Sequence, residues 1–153
     1  ARGLMIDLLE WSIAGAWVQA KPDAPETADR FAADVLDRLR RRIKRRGRKL
    51  ARLTDADRHE VRILAKKLRY ATEFFGPLFD GRKARRRFGA FRTALEALQE
   101  TLGELNDIAT APVVLARLGL PLPDAEAAAI RRKALLRDAQ DAYEALIDTK
   151  RFW

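Results

Sequence analysis

The 153-residue chain contains no cysteine. That absence excludes a disulfide framework, a thiolate metal site and a thiol nucleophile. Histidine occurs once, at His59, too few imidazoles for a histidine-built zinc site and a weak basis for a Ser-His-Asp triad. Long apolar runs are missing as well. The longest near the start, Leu4 to Val18, is broken by Asp7, Glu10 and Gly15, so it reads as neither a membrane span nor a signal peptide. There is no Gly-rich phosphate loop of the Walker type and no carboxylate cluster suited to magnesium, so machinery for making or hydrolysing a phosphoanhydride is not visible. No stretch sustains the period-two alternation of a half-buried strand.

What the chain does have is helix-forming sequence and charge. Apolar residues are 48% of the total and charged residues 35%, a balance that folds and does not stay disordered. The length fits one domain, residues 1–153. Proline, glycine and capping residues divide it into helices. The first is expected from Gly3 to Ala20, and Lys21 to Thr27, with Pro22 and Pro25, is a loop. A second, Ala28 to Leu53, places Ala32, Leu36, Leu39, Ile43 and Leu50 on one face. Thr54 can accept from the amide of Asp57, and Asp55 and Asp57 suit the positive end of a third helix that reaches about Leu78. A fourth, Arg82 to Glu104, carries Phe88, Phe91, Leu95, Leu98 and Leu102 as its core stripe. Asn106 is expected to cap a short fifth helix ending near Leu118, with Pro112 bending or delaying it. Asp124 caps the last, which runs to about Thr149. Short loops make these helices antiparallel neighbours, so the fold class is all-α: an antiparallel helical bundle of four long helices plus shorter ones.

Charge is distributed unevenly. Between Arg30 and Arg69 lie 16 of the 31 Lys and Arg residues against five acids, a local +11, while the rest of the chain holds 15 bases and 17 acids. Such a field opposes folding through self-repulsion and suits a surface for a polyanion. On the second helix Arg38, Arg42, Arg45, Lys49 and Arg52 recur at helical spacing, within about 80° of one another. On the third, His59, Arg62, Lys66 and Arg69 do the same, with Tyr70 beside them and Lys67 farther round. Two consecutive helices thus each offer one basic rail, and antiparallel packing is expected to turn both into one groove, where guanidinium forks could hold a flexible anion.

The run His59-Glu-Val-Arg-Ile-Leu-Ala-Lys-Lys-Leu-Arg-Tyr70, followed by Ala-Thr-Glu-Phe-Phe75, closely resembles the signature of the CHAD family, conserved-histidine alpha-helical domains that bind inorganic polyphosphate. The basic run Val35 to Ile43 and the segment Leu102-Gly-Glu-Leu-Asn-Asp107 are similar to the family's flanking helices, so the resemblance extends over essentially the whole chain. It implies a polyphosphate-binding module whose site comprises His59, Arg62, Lys66, Lys67 and Arg69, supplemented by Arg38, Arg42, Arg45, Lys49 and Arg52. A complete family domain looks like two similar helical halves, each with such a motif. This chain carries one motif, begins at Ala1 without an initiating Met and reads as the C-terminal half of a CHAD-like domain. The implied partners are inorganic polyphosphate, the missing N-terminal half or a second copy, and a triphosphatase-like domain in the full-length protein. The expected location is cytoplasmic, associated with polyphosphate granules.

Other residues have competing readings. Arg82, Lys83, Arg85, Arg86 and Arg87 open the fourth helix, either as a second anion site or as a solvated cluster paired with neighbouring acids. Glu73 sits one turn beyond Arg69 and suits an ion pair that orients it. Asp107, with only Glu104 nearby, is expected to be a helix cap or an ion-pair partner of a motif arginine. Trp11, Trp17, Phe74, Phe75, Phe88 and Phe91 fall mostly on apolar stripes and are expected in the core. Nucleic acid or an acidic membrane surface is the alternative ligand for the same basic face, and disfavoured because the Arg38 to Arg52 run holds no aromatic for stacking on bases. Neither a cofactor nor catalysis is expected.

Overall fold

A computed structural model of the chain describes residues 27–153. The expected first helix, Gly3 to Ala20, with Trp11 and Trp17, and most of the loop after it lie outside the described residues. The described residues form four α-helices and no strand: α1 (Ala28–Arg46), α2 (Asp55–Phe75), α3 (Arg82–Arg117) and α4 (Ala125–Asp148). Two of the expected caps are present. Thr54 Oγ1 accepts from the Asp57 amide at 3.1 Å, and Asp124 Oδ1 accepts from the Ala127 amide at 2.7 Å.

α1 is shorter than its pattern implied, because Gly47 ends it rather than a residue near Leu53. The Gly47 amide returns to the Ile43 carbonyl at 2.7 Å, and Lys49 then adopts a left-handed φ of 59° before a 3-10 turn over Leu50–Arg52. The cause is Tyr143 on α4. Its hydroxyl donates to the Lys44 carbonyl at 2.7 Å, and its ring occupies the space a Cβ at position 47 would need. Only glycine permits that approach, and the turn it starts lets Leu50 point into the core. α2 closes near where it was expected, with a 3-10 turn over Gly76–Leu78.

The expected fourth and fifth helices are one. α3 runs unbroken through Asn106 and Pro112, so Asn106 caps nothing and Asp107 is not a cap either. Buried Leu102 and Leu105 and the ion pair between Glu104 and Arg131 of α4 span the supposed junction, so tertiary packing overrides the local break signal.

Each helix runs antiparallel to the next. The start of α1 meets the end of α2 through Phe31 and Phe75, centroids 6.1 Å apart, and its end meets the start of α2 through Arg46 and Glu60 at 3.3 Å. α2 and α3 are joined by His59 with Asn106 and by Gln99 with the Ala65 carbonyl. α4 returns along α3 and closes on α1, where Arg40 donates to the carbonyls of Ile147 and Thr149 at 2.6 and 2.9 Å. The result is an up-down-up-down four-helix arrangement. Its core contains Leu36, Ile43, Phe91, Leu95, Leu98 and Leu102 from the stripes expected on the second and fourth helices, with Val61, Leu64 and Leu68 of α2 and Leu135 and Leu146 of α4.

One end is sealed by residues that no stripe indicated. Phe152 is buried edge-on against Phe79, Phe88 and Phe91, with centroids 5.0–5.7 Å away. Trp153 Nε1 donates to Asp37 at 2.8 Å, and Arg151 donates to both Asp37 oxygens at 2.9 Å. Phe74, by contrast, was expected inside and is 77% exposed, because it lies on the side of α2 that faces neither α1 nor α3. No helix of the described residues is long and apolar enough to cross a membrane.

Candidate functional site

The cations of the basic stretch divide by what holds them. Arg40, Arg46 and Arg58 are structural. Arg40 is tied to the end of α4, and burial, then the charge of Arg151, holds its guanidinium below the ordinary arginine range. Arg58 is buried and donates to the Leu53 carbonyl and to Asp55, which also accepts from Arg132 of α4 at 2.8 Å. The Arg58 hydrogen bond, partly opposed by burial and aided by Arg132, keeps the Asp55 carboxyl below the usual carboxylate range. Arg40 ties α1 to the end of α4, Arg46 ties α1 to α2, and Arg58 shares Asp55 with Arg132 of α4.

The remaining bases point outward. Arg38, Arg41, Arg42 and Arg45, with Val35 and Leu39, line an open cavity of about 540 Å³ on α1. Of the ten residues expected to bind polyphosphate, only Arg69 pairs with a carboxylate of the described residues, Glu73 at 3.6 Å, as its i, i+4 spacing implied. Arg69 also lies 4.9 Å from the centre of the Tyr70 ring. Arg38, Arg42, Arg45, Lys67 and His59 are exposed, and Arg62 and Lys66 half-buried.

The rails do not face each other across one groove. His59 meets Asn106 of α3, whereas Glu60, one residue and about 100° farther round, meets Arg46 of α1. His59, Arg62, Lys66 and Arg69 therefore lie on the α3 side of α2. Lys67, seven residues beyond Glu60, lies on the α1 side, as do Arg38 and Arg42. The two basic strips flank an outward ridge of α2 that carries Tyr70, 53% exposed, and Phe74. Lys49 and Arg52 leave the strip altogether, because the helix that would have aligned them ends at Arg46. They line a separate cavity with Arg48, Gln140 and Tyr143.

The cluster that opens α3 is also divided. Arg82, Lys83 and Arg86 share one open cavity, of about 390 Å³, while Arg85 lines another with Glu73, Gly76 and Phe88. None of these cations pairs with a carboxylate of the described residues, and Arg87 donates to the Arg151 carbonyl. Asp107 is exposed and likewise makes no ion pair there.

Two features of the surface were not read from the sequence. Asn106, expected as a cap, places Oδ1 2.9 Å from Nδ1 of His59. One turn before it, Gly103 has open space where a Cβ would stand. Asparagine and glycine inside a long helix are the available signal, since both disfavour helix interiors and so mark a place where something else is served.

The described residues thus form an all-helical bundle that carries the His59 to Tyr70 motif on an outward basic surface. The CHAD domain family matches residues 2–116, and the chain belongs to that family, which is linked to polyphosphate binding. The match covers the N-terminal and central part of the chain and leaves out α4, so it is less extensive than the resemblance implied and does not support the reading as a C-terminal half. No curated protein and no solved structure matches the chain.

Proposed function

We propose that this chain is a non-enzymatic module that binds inorganic polyphosphate across α2, using the α1 strip (Arg38, Arg42, Arg45) on one flank and the α2 strip (His59, Arg62, Lys66) on the other. The observation that carries the reading is the number of exposed or half-exposed cations in a +11 stretch that have no carboxylate partner among the described residues. The α2 strip, from His59 to Arg69, spans about 15 Å at 1.5 Å per residue, long enough for several phosphates of an extended chain. Such a ligand has no bases to read. Recognition is then multidentate, through charge-assisted hydrogen bonds from guanidinium and ammonium groups. The implied partners belong to the same proposal: a second helical half or copy of this chain, and a triphosphatase-like domain in the full-length protein.

One observation favours a second ligand. Tyr70 and Phe74 project from the ridge between the two strips, the interleaving of aromatics with cations that single-stranded nucleic acid uses. Competition at matched phosphate and near-physiological salt separates the two. Long-chain polyphosphate is expected to displace bound single-stranded DNA, and failure to displace it would make nucleic acid the preferred ligand.

A further inference from the structure

Asn106 lies well inside α3, where asparagine costs several tenths of a kcal/mol relative to alanine. It gives no cap in return. Its backbone carbonyl accepts from Thr110 within the helix, and its side chain crosses to α2, where Oδ1 meets Nδ1 of His59. An amide oxygen can only accept, so a hydrogen bond in this orientation requires Nδ1 to carry the hydrogen. The other ring nitrogen, Nε2, is then the one left to meet a ligand.

Resting on the polyphosphate reading above, we infer that Asn106 is a positioning residue: it accepts from Nδ1–H of His59 and so turns Nε2 toward the anion on the α2 strip, to which Nε2 donates once it is protonated. The charged groups around the ring fit this arrangement. On α2 they are Arg62 and Lys66, and Asp55 one turn earlier, already engaged by Arg58 and Arg132. On α3 they are Asp107, beside Asn106, and Glu104, held by Arg131 of α4. On the α1 side, Arg46 is engaged by Glu60. Asp107 is the acid of this set that makes no ion pair among the described residues, and an approaching polyanion supplies the strongest negative field near Nε2. Binding then draws a proton onto Nε2, and affinity gains a dependence on pH near neutrality that the arginines alone cannot provide.

His59 is the sole histidine, so imidazole nitrogen resonances report it without ambiguity. In the ligand-free chain at a pH where the ring is neutral, the expected spectrum is that of the Nδ1–H tautomer. Asn106→Ala is expected to shift it toward the Nε2–H form that an unconstrained histidine side chain favours in water. A wild-type spectrum already dominated by Nε2–H overturns the inference whether or not polyphosphate binds. With polyphosphate, Asn106→Ala is expected to weaken binding roughly three- to ten-fold at the acid end of the range between about pH 5.5 and 8, and to flatten the pH profile toward that of His59→Ala. An unchanged profile in Asn106→Ala overturns the positioning role. Absence of wild-type binding instead sinks the polyphosphate reading and leaves the tautomer result to be judged by itself.

Discussion

Asp37 shows how much one side chain fastens. It accepts from Arg151 and Trp153 and so ties the C-terminus to α1 over the Phe152 plug. Burial disfavours its charge, but the hydrogen bonds from Arg151 and Trp153 and the charges of Arg151 and Arg41 outweigh that, leaving its carboxyl below the usual range. A lowered folded value means that the stabilisation is complete above the unfolded value of about 3.9 and is lost as pH falls through the folded one. Thermal unfolding followed from neutral pH into acid is expected to show this loss below about pH 4. Asp37→Asn is expected to cost about 1–3 kcal/mol at neutral pH and to make the acid limb shallower, and a variant as stable as wild type would show that the C-terminal tie contributes nothing. None of this was legible beforehand. Phe152 and Trp153 follow a helix end and carry no periodicity, so their burial is fixed by contacts with Asp37 of α1, Phe79, and Phe88 and Phe91 of α3 rather than by local pattern.

At the scale of elements, what is local was readable and what depends on a distant neighbour was not. Thr54 and Asp124 cap within three residues of themselves, and both were found from sequence. The end of α1 depends on Tyr143, almost a hundred positions away, and the continuity of α3 depends on α4. The early end of α1 has a functional consequence, because it removes Lys49 and Arg52 from the strip formed by Arg38, Arg42 and Arg45. Replacing Arg38 and Arg42 with alanine is expected to lower the slope of log affinity for polyphosphate against log salt by roughly 1.4, the loss of two phosphate contacts on a single-stranded polyanion. The same change at Lys49 and Arg52 is expected to lower it by far less. Equal effects from the two pairs would mean that the anion follows the whole basic run regardless of where the helix stops.

For the molecule as a whole, the all-α class, the antiparallel order and the family were legible because amphipathic periodicity and the motif from His59 to Tyr70 are properties of the chain alone. The relation between the two basic rails was not. Helical phase locates a side chain relative to its own core face, whereas the side on which a neighbouring helix docks is set by the closure of all four helices. Here that closure puts α3 against the His59 flank and α1 against the Glu60 flank, so the basic surface wraps α2 instead of enclosing a trough. An open surface of this kind gains affinity by the number of phosphates it engages at once. Binding of orthophosphate and of polyphosphates of increasing length, titrated across salt concentrations with wild type and a His59, Arg62 and Lys66 triple alanine variant, tests this most directly. Affinity is expected to climb with chain length, and the salt slope to drop by roughly two in the variant. Equal affinity for orthophosphate and long polyphosphate, or a variant indistinguishable from wild type, would contradict the account.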